Sequence, residues 1–263
     1  DGALPAPLLA ALRGALGPGG RFWREHGYGR VGYFSYMHEL GSPALSAIHQ
    51  AATLLHRLVS ERFPAARAAR FAEWWAHCRP HPSGHQLHFD SDDEGEGGVR
   101  NPFVSCVIYL TGGVGGPTLV TPQVLGGPLA PHGWLIYPRE NRLGMFDATY
   151  LHGVLPGRGP SPRPGEFRIT LMVAFWRDIQ CRPRTDGLPG PSQPFPTSSP
   201  DSPPCRYSWM ADLPPHPEGP EGWGPTAPVD AAPTFIDRVW ERLDGQAVQP
   251  GAVQCYDECF QGF

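Results

Sequence analysis

The stretch GHQLHFDSDDEGEGG, residues 84–98, sets His88 and Asp90 two positions apart and follows them with a run of acidic residues. On a strand that spacing turns both side chains to one face, while Leu87 and Phe89 turn to the other. Two ligands would then reach one metal from one edge. A third is expected from a distant strand, and FDATYLHGVLP supplies His152 just ahead of another short apolar run. Two imidazoles and one carboxylate on one face of an octahedron leave the other positions open, which suits non-haem Fe(II) that must take substrate and oxygen together. In a chain with 11 histidines an H-x-D pair alone is not specific, and its ordinary reading is a surface pair. Specificity has to come from the surroundings.

The acidic residues Asp92, Asp93, Glu94 and Glu96 follow the two proposed ligands directly. They read either as a lid or docking surface for a basic substrate segment or, as most charge runs do, as a solvated loop. They are not read as metal ligands. Trp74, Trp75 and Trp134 read as core or rim aromatics rather than substrate cages. His81 and His85 could line an entrance, but their Gly and Pro neighbours favour surface turns.

These side chains need a scaffold, and the pattern from about residue 71 supplies one. Short apolar runs separated by Gly and Pro read as strands at EWWAHCR, HQLHFD, NPFVSCVIYLT, GPTLVT, GWLIYP, RLGMFD, HGVLP and FRITLMVAFWRD. Many short strands with turn signals between them indicate a sandwich, barrel or jelly roll. Ahead of them, SPALSAIHQAATLLHRLVSERFP has helical periodicity, with Ser42 as N-cap, Pro43 at the first helical position and Pro64 closing it. Residues 1–40 are rich in Gly and aromatics and resolve into no single element. The expected organisation is a helical support region over residues 1–70, a catalytic core over 71–178 and a Pro/Gly-rich extension over 179–263.

That extension reads as chain wrapped back on the core. It carries Trp209, Trp223, Trp240 and a helix-like segment, APTFIDRVWERL, in which Phe235, Ile236, Val239, Trp240 and Leu243 form an apolar stripe. It also holds Cys181, Cys205, Cys255 and Cys259, which read as two disulfides, a zinc site or free thiols. Cys78 and Cys106 lie in apolar runs and read as buried thiols.

All 21 basic residues are arginine, which excludes a lysine Schiff base and the lysine of a phosphate-binding loop. Any carboxylate clamp must be arginine. The net charge of −4 argues against a nucleic-acid partner. No run approaches the ~18 apolar residues of a membrane span, and no targeting segment is recognised, so a soluble protein is expected, with compartment and oligomeric state left open. The chain begins at Asp1 and not at Met, which fits a trimmed or mature form.

The order of H-x-D, SCVIYL, GGPTLV, RLGMF leading to LHGVLP, and RITLMVAFW resembles the Fe(II)/2-oxoglutarate dioxygenases, above all their prolyl-hydroxylase-like branch. The resemblance covers residues 71–178. It implies a mainly β fold with flanking helices, a double-stranded β-helix or jelly roll, with His88, Asp90 and His152 as iron ligands. It also implies that Arg168, opening the last core strand, binds the distal carboxylate of 2-oxoglutarate with help from Tyr109 and Thr170. A guanidinium suits that task because its planar fork makes two parallel hydrogen bonds to a carboxylate. Arg158 and Arg163 compete for the role, but they sit among Gly and Pro in a long connection.

The implied cofactors are Fe(II), 2-oxoglutarate and O2, with ascorbate as an accessory reductant. The implied reaction is hydroxylation, or demethylation through hydroxylation, because Asp90 is the carboxylate that the related halogenases replace with a small residue. A protein side chain such as prolyl is the first expectation for the substrate. A small molecule, a modified nucleobase or a catalytically silent binding module are the alternatives.

Overall fold

A computed structural model of the protein describes residues 1–27, 35–92, 98–179, 193–194 (backbone only) and 208–240. Its centre is a pair of facing antiparallel sheets built from β2 (Phe71–Pro80), β3 (His85–His88), β4 (Val104–Tyr109), β5 (Thr118–Val120), β6 (Gly133–Ile136), β7 (Arg142–Asp147), β8 (His152–Val154) and β9 (Phe167–Trp176). The larger sheet runs β2-β9-β4-β7 and the smaller runs β3-β8-β5-β6. The chain passes from one sheet to the other at nearly every step and folds back within a sheet only at the β5–β6 hairpin. That winding is the double-stranded β-helix, a jelly roll with flanking helices.

Three further strands extend the edges. β1 (Tyr36–Glu39) pairs antiparallel with β2, and β10 (Gln193–Pro194) pairs parallel with β1. β11 (Thr234–Ile236) pairs antiparallel with β6. The helical periodicity of 232–243 therefore does not produce a helix over its described part. Thr234, Phe235 and Ile236 follow Pro233, have strand propensity and meet the open edge of β6, so edge pairing prevails over the local pattern. Phe235 stays 57% exposed, and Leu243 lies outside the described residues. The four cysteines of the extension and Asp93, Glu94 and Glu96 also lie outside them.

Three helices back the larger sheet: α1 (Ala6–Ala15), α2 (Arg21–His26) and α3 (Ala47–Arg62). α3 starts four residues later than Ser42 suggests. Ser46 is extended, and its hydroxyl accepts the His49 N–H at 3.3 Å, satisfying a first-turn donor. Leu8, Leu12, Ile48 and Leu55 are fully buried against the outward row of the sheet, which includes Ile169, Leu171, Val173 and Phe175. Trp209, from a short 3-10 turn (Ser208–Asp212), enters the same core beside Phe22, Tyr36 and Trp74. Tail residues and N-terminal helices thus share one hydrophobic body.

The inward row is different in kind. Trp75, Val107, Tyr109, Phe146, Met172 and Trp176 point between the sheets and form a second apolar cluster. β9 is buried along nearly its whole length because both of its faces are covered. Its even-numbered residues line the inter-sheet space and its odd-numbered ones meet the helices.

The turn between β6 and β7 shows how the N-terminal segment is fixed. Asn141 is the one non-glycine with positive φ (59°) among the described residues. Its carboxamide accepts from Leu4 N at 2.8 Å and donates to Leu4 O at 2.7 Å. Asparagine tolerates this left-handed backbone better than most residues. Among the described residues no helix is long and apolar enough to cross a membrane.

Candidate metal centre and anion slot

β3 and β8 bring His88 and His152 opposite each other in the ladder. Their rings lie 4.3 Å apart between centroids. β3 ends at His88, and its register shifts between His85 and His88, so Asp90 stands just beyond the strand. The carboxylate still reaches both rings. Its Oδ1 is 3.6 Å from His88 Nε2 and its Oδ2 is 3.6 Å from His152 Nε2. One ligand atom from each of the three residues lies within 4.8 Å of the other two.

Each imidazole is oriented from behind. His88 Nδ1 meets Gln86 O at 2.9 Å and His152 Nδ1 meets Tyr150 O at 3.0 Å. A carbonyl can only accept, so the proton sits on Nδ1 and the Nε2 lone pairs face Asp90. Burial holds the pKa of His152 down to about 4, with Asp90 opposing and His88 adding to the shift. Asp90, with its side chain 10% exposed, takes a hydrogen bond from the Ser105 hydroxyl on Oδ2. Asn101 donates to the Asp90 backbone carbonyl at 2.7 Å. The three groups thereby turn two imidazole Nε2 atoms and one carboxylate toward a common point.

Arg168 opens the inward row of β9 and lines the same cavity, together with His77, His85, Thr118, Phe146 and Met172. It is 3% exposed. Burial pulls its pKa down from the usual value, partly offset by Tyr109, and among the described residues no carboxylate pairs with it. Nη2 donates to Thr118 Oγ1 at 3.1 Å, and the guanidinium lies over the Tyr109 ring at 5.1 Å. Nε and Thr170 Oγ1 are buried without a hydrogen-bond partner among the described residues. Buried donors of this kind are costly unless something accepts from them.

Tyr109 is fully buried, and its hydroxyl donates to Ile136 O at 2.8 Å. Thr118 must then donate to Tyr109, at 2.7 Å, while accepting from Arg168. Tyr109 thus supports the guanidinium through its ring and through Thr118. Arg158 and Arg163 are exposed, and Arg163 bonds to Glu166 at 3.4 Å.

Several lining residues carry no motif in the sequence. Ser105, Thr118 and His77 sit in apolar strand runs, and only strand alternation, once the sheets are paired, turns them inward. His77 is held neutral chiefly by burial, and His85 is depressed to about 3 for the same reason. Contrary to its reading as a surface turn, His85 lines the cavity, while His81 is buried beneath the loop that covers Arg168. Trp75 faces the inter-sheet space and Trp74 the helical core, and Trp134 packs near Phe235 at the smaller sheet's edge. Asp92 is tied to Arg100 by an ion pair and an isolated bridge.

No protein-family model and no curated protein matches the chain. Among solved structures it is similar to a prolyl 4-hydroxylase from Pseudomonas putida, with 21% identity over 66% of this chain and 84% of that one and a TM-score of 0.43. It is also similar to a viral collagen prolyl hydroxylase from Paramecium bursaria Chlorella virus-1, with 14% identity over 66% and 92% and a TM-score of 0.37. A third is the non-haem monooxygenase ThoJ, with 14% identity over 74% and 80% and a TM-score of 0.40. The functional reading rests on the geometry of the site.

Proposed function

We propose that the protein is an Fe(II)- and 2-oxoglutarate-dependent dioxygenase that hydroxylates an organic substrate, or demethylates it through hydroxylation. One observation carries the reading. A His/Asp/His cluster and a buried arginine with no carboxylate partner among the described residues line one cavity.

The donor set fits the metal. Two imidazoles and a carboxylate suit Fe(II) while leaving positions open. The slot around Arg168 fits the cosubstrate's distal carboxylate, because that group would accept from the unpartnered guanidinium Nε and the Thr170 hydroxyl. Held by His88, Asp90 and His152, Fe(II) with 2-oxoglutarate and O2 would supply the oxidising power, with succinate and CO2 as the co-products.

The chain's own residues do the rest. His88 and His152 offer lone pairs in fixed directions because their Nδ1 protons are committed to backbone carbonyls. Ser105 donates to Asp90 Oδ2, occupying one of its lone pairs and holding the carboxylate toward the two imidazoles. Thr118 and Tyr109 orient the guanidinium. Trp75, Phe146 and Met172 exclude water from the cavity wall.

For the substrate, a protein side chain such as prolyl follows from the sequence resemblance and from the acidic residues beside the ligands. The test is succinate release from 2-oxoglutarate by the Fe(II)-loaded chain, alone and with peptide pools that contain or lack proline. Succinate that rises with the proline-containing pool is the expected result. A metal-loaded chain that neither binds 2-oxoglutarate nor releases succinate overturns the reading.

A further inference from the structure

Arg168 is held at three points along its length. At the backbone, the Thr111 hydroxyl donates to Phe167 O at 2.8 Å and accepts from Ile169 N at 2.9 Å, bracketing the residue. At the head, Thr118 and Tyr109 engage the guanidinium. Between them, the stem lies against Gly115. A Cβ on Gly115 would come within 2.5 Å of Arg168 Cδ and 2.9 Å of its Cβ. Gly115 also has φ +81°, which side chains rarely adopt. The turn before β5 therefore closes on the arginine with no space to spare.

Backbone bonds pin the ends of that turn, Gly113 N to Pro138 O at 3.1 Å and Leu155 N to Pro117 O at 3.0 Å, and its middle is held by His81. Its Nδ1 accepts the Gly115 N–H at 2.9 Å, so its proton is on Nε2, which points to Arg158 O at 3.3 Å. The backbone carbonyl of His81 accepts from Gly157 N at 3.0 Å. Gly157 lies so close that a Cβ there would sit 2.5 Å from the imidazole. One buried ring thus ties together the turn over the Arg168 stem and the connection that follows β8. His81 touches neither the guanidinium head nor the three proposed metal ligands through any of these bonds.

We propose that His81 is a positioning residue for the carboxylate slot, acting through Gly115 to fix the rotamer of Arg168. The proposal rests on the 2-oxoglutarate reading above. Its Nδ1 bond keeps the Gly115 turn pressed on the arginine stem, which leaves the guanidinium one way to point. Without that bond the middle of the turn can lift between its anchored ends, and Arg168 gains rotamers that do not face the cavity. The metal cluster is built on β3, β8 and the chain beyond β3 and is not part of this linkage.

The experiment measures binding of two 2-oxo acids to the Mn(II)-loaded full-length chain by calorimetry. 2-Oxoglutarate has the distal carboxylate and pyruvate lacks it. The wild-type chain should prefer 2-oxoglutarate. His81→Ala should weaken 2-oxoglutarate about 10- to 100-fold, the range typical for loss of an orienting partner, while leaving pyruvate and Mn(II) binding unchanged. His81→Asn should restore most of the affinity, because its carboxamide oxygen stands where Nδ1 stands, whereas His81→Gln places its group where Nε2 stands and should not. If His81→Ala does not fold, the Asn and Gln variants read the same contact.

Equal loss of both oxo acids in His81→Ala, or an affinity for 2-oxoglutarate like that of wild type, overturns the inference. So do Asn and Gln variants that behave alike. A wild-type chain that binds the two acids equally overturns the 2-oxoglutarate reading itself, and the inference with it, before any variant is compared.

Discussion

His88 and His152 face each other across the β3–β8 ladder, and each has its Nδ1 against the backbone carbonyl two residues upstream. The same local device is used on two strands of opposite direction. It fixes both tautomers before any metal arrives, so the donors are prearranged rather than recruited. A single divalent ion per chain is the expected stoichiometry. His152→Ala or Asp90→Ala should cut Mn(II) or Co(II) affinity by more than the ~10–100-fold typical of outer-shell changes. Competition titration against a chromophoric chelator measures this.

Ser105 is paired on both sides of β4, to Phe146 and to Ala174, so its hydroxyl has a fixed origin. Ser105→Ala removes the donor to Asp90 Oδ2 and frees that oxygen to ligate. Metal affinity should change by about 10-fold or more, and the visible spectrum of the Co(II)-loaded chain should shift as the carboxylate moves toward two-oxygen ligation. Ser105→Thr, which keeps the hydroxyl, should retain the wild-type spectrum.

Arg168→Ala should raise the 2-oxoglutarate concentration for half-maximal turnover by about 10- to 100-fold, as expected for loss of a buried charge-assisted hydrogen bond of ~1.5–3 kcal/mol. Arg168→Lys should recover little, since an ammonium cannot reproduce the fork. Arg158→Ala and Arg163→Ala should match wild type. Steady-state kinetics across 2-oxoglutarate concentrations separate these cases.

Acid should weaken the fold through His49. This residue of α3 is 1% exposed and stacks on His38 at 4.1 Å, and Glu39 lies next to His38 in the chain. Burial first, and His38 second, depress its pKa from 6.5 to about 3. The unfolded chain therefore binds a proton that the folded chain refuses between these values. Its contribution is fully present above pH 6.5 and is lost as pH falls toward 3. Urea denaturation at pH 7 and at pH 4.5 should show the loss, and His49→Gln should reduce the difference between the two.

The eight core strands were legible as short runs separated by Gly, Pro and other turn residues, and the H-x-D spacing exposed the metal edge directly. What the sequence hides is anything that depends on which strands become neighbours. Ser105 lies in an apolar run, and its bond to Asp90 exists only because β4 passes behind the end of β3. His81, flanked by prolines, looks like turn filler until the folded Gly115 turn arrives over it. The segment around Phe235 shows the reverse error, since its helical spacing is real but the free edge of β6 offers it hydrogen bonds as a strand. Ser42 and Ser46 are both acceptable caps by type, and tertiary packing of Ala47 and Ile48 selects the second.

The double burial of β9 divides its ten residues between two separate ledgers. A change at Ile169, Leu171 or Val173 is read by the helices and by the core that holds Trp209, whereas a change at Arg168 or Met172 is read by whatever occupies the cavity. Neighbours along the chain therefore answer to different packing constraints. Such a strand can be retuned toward a new ligand at every second position while the alternate positions keep the body of the protein intact.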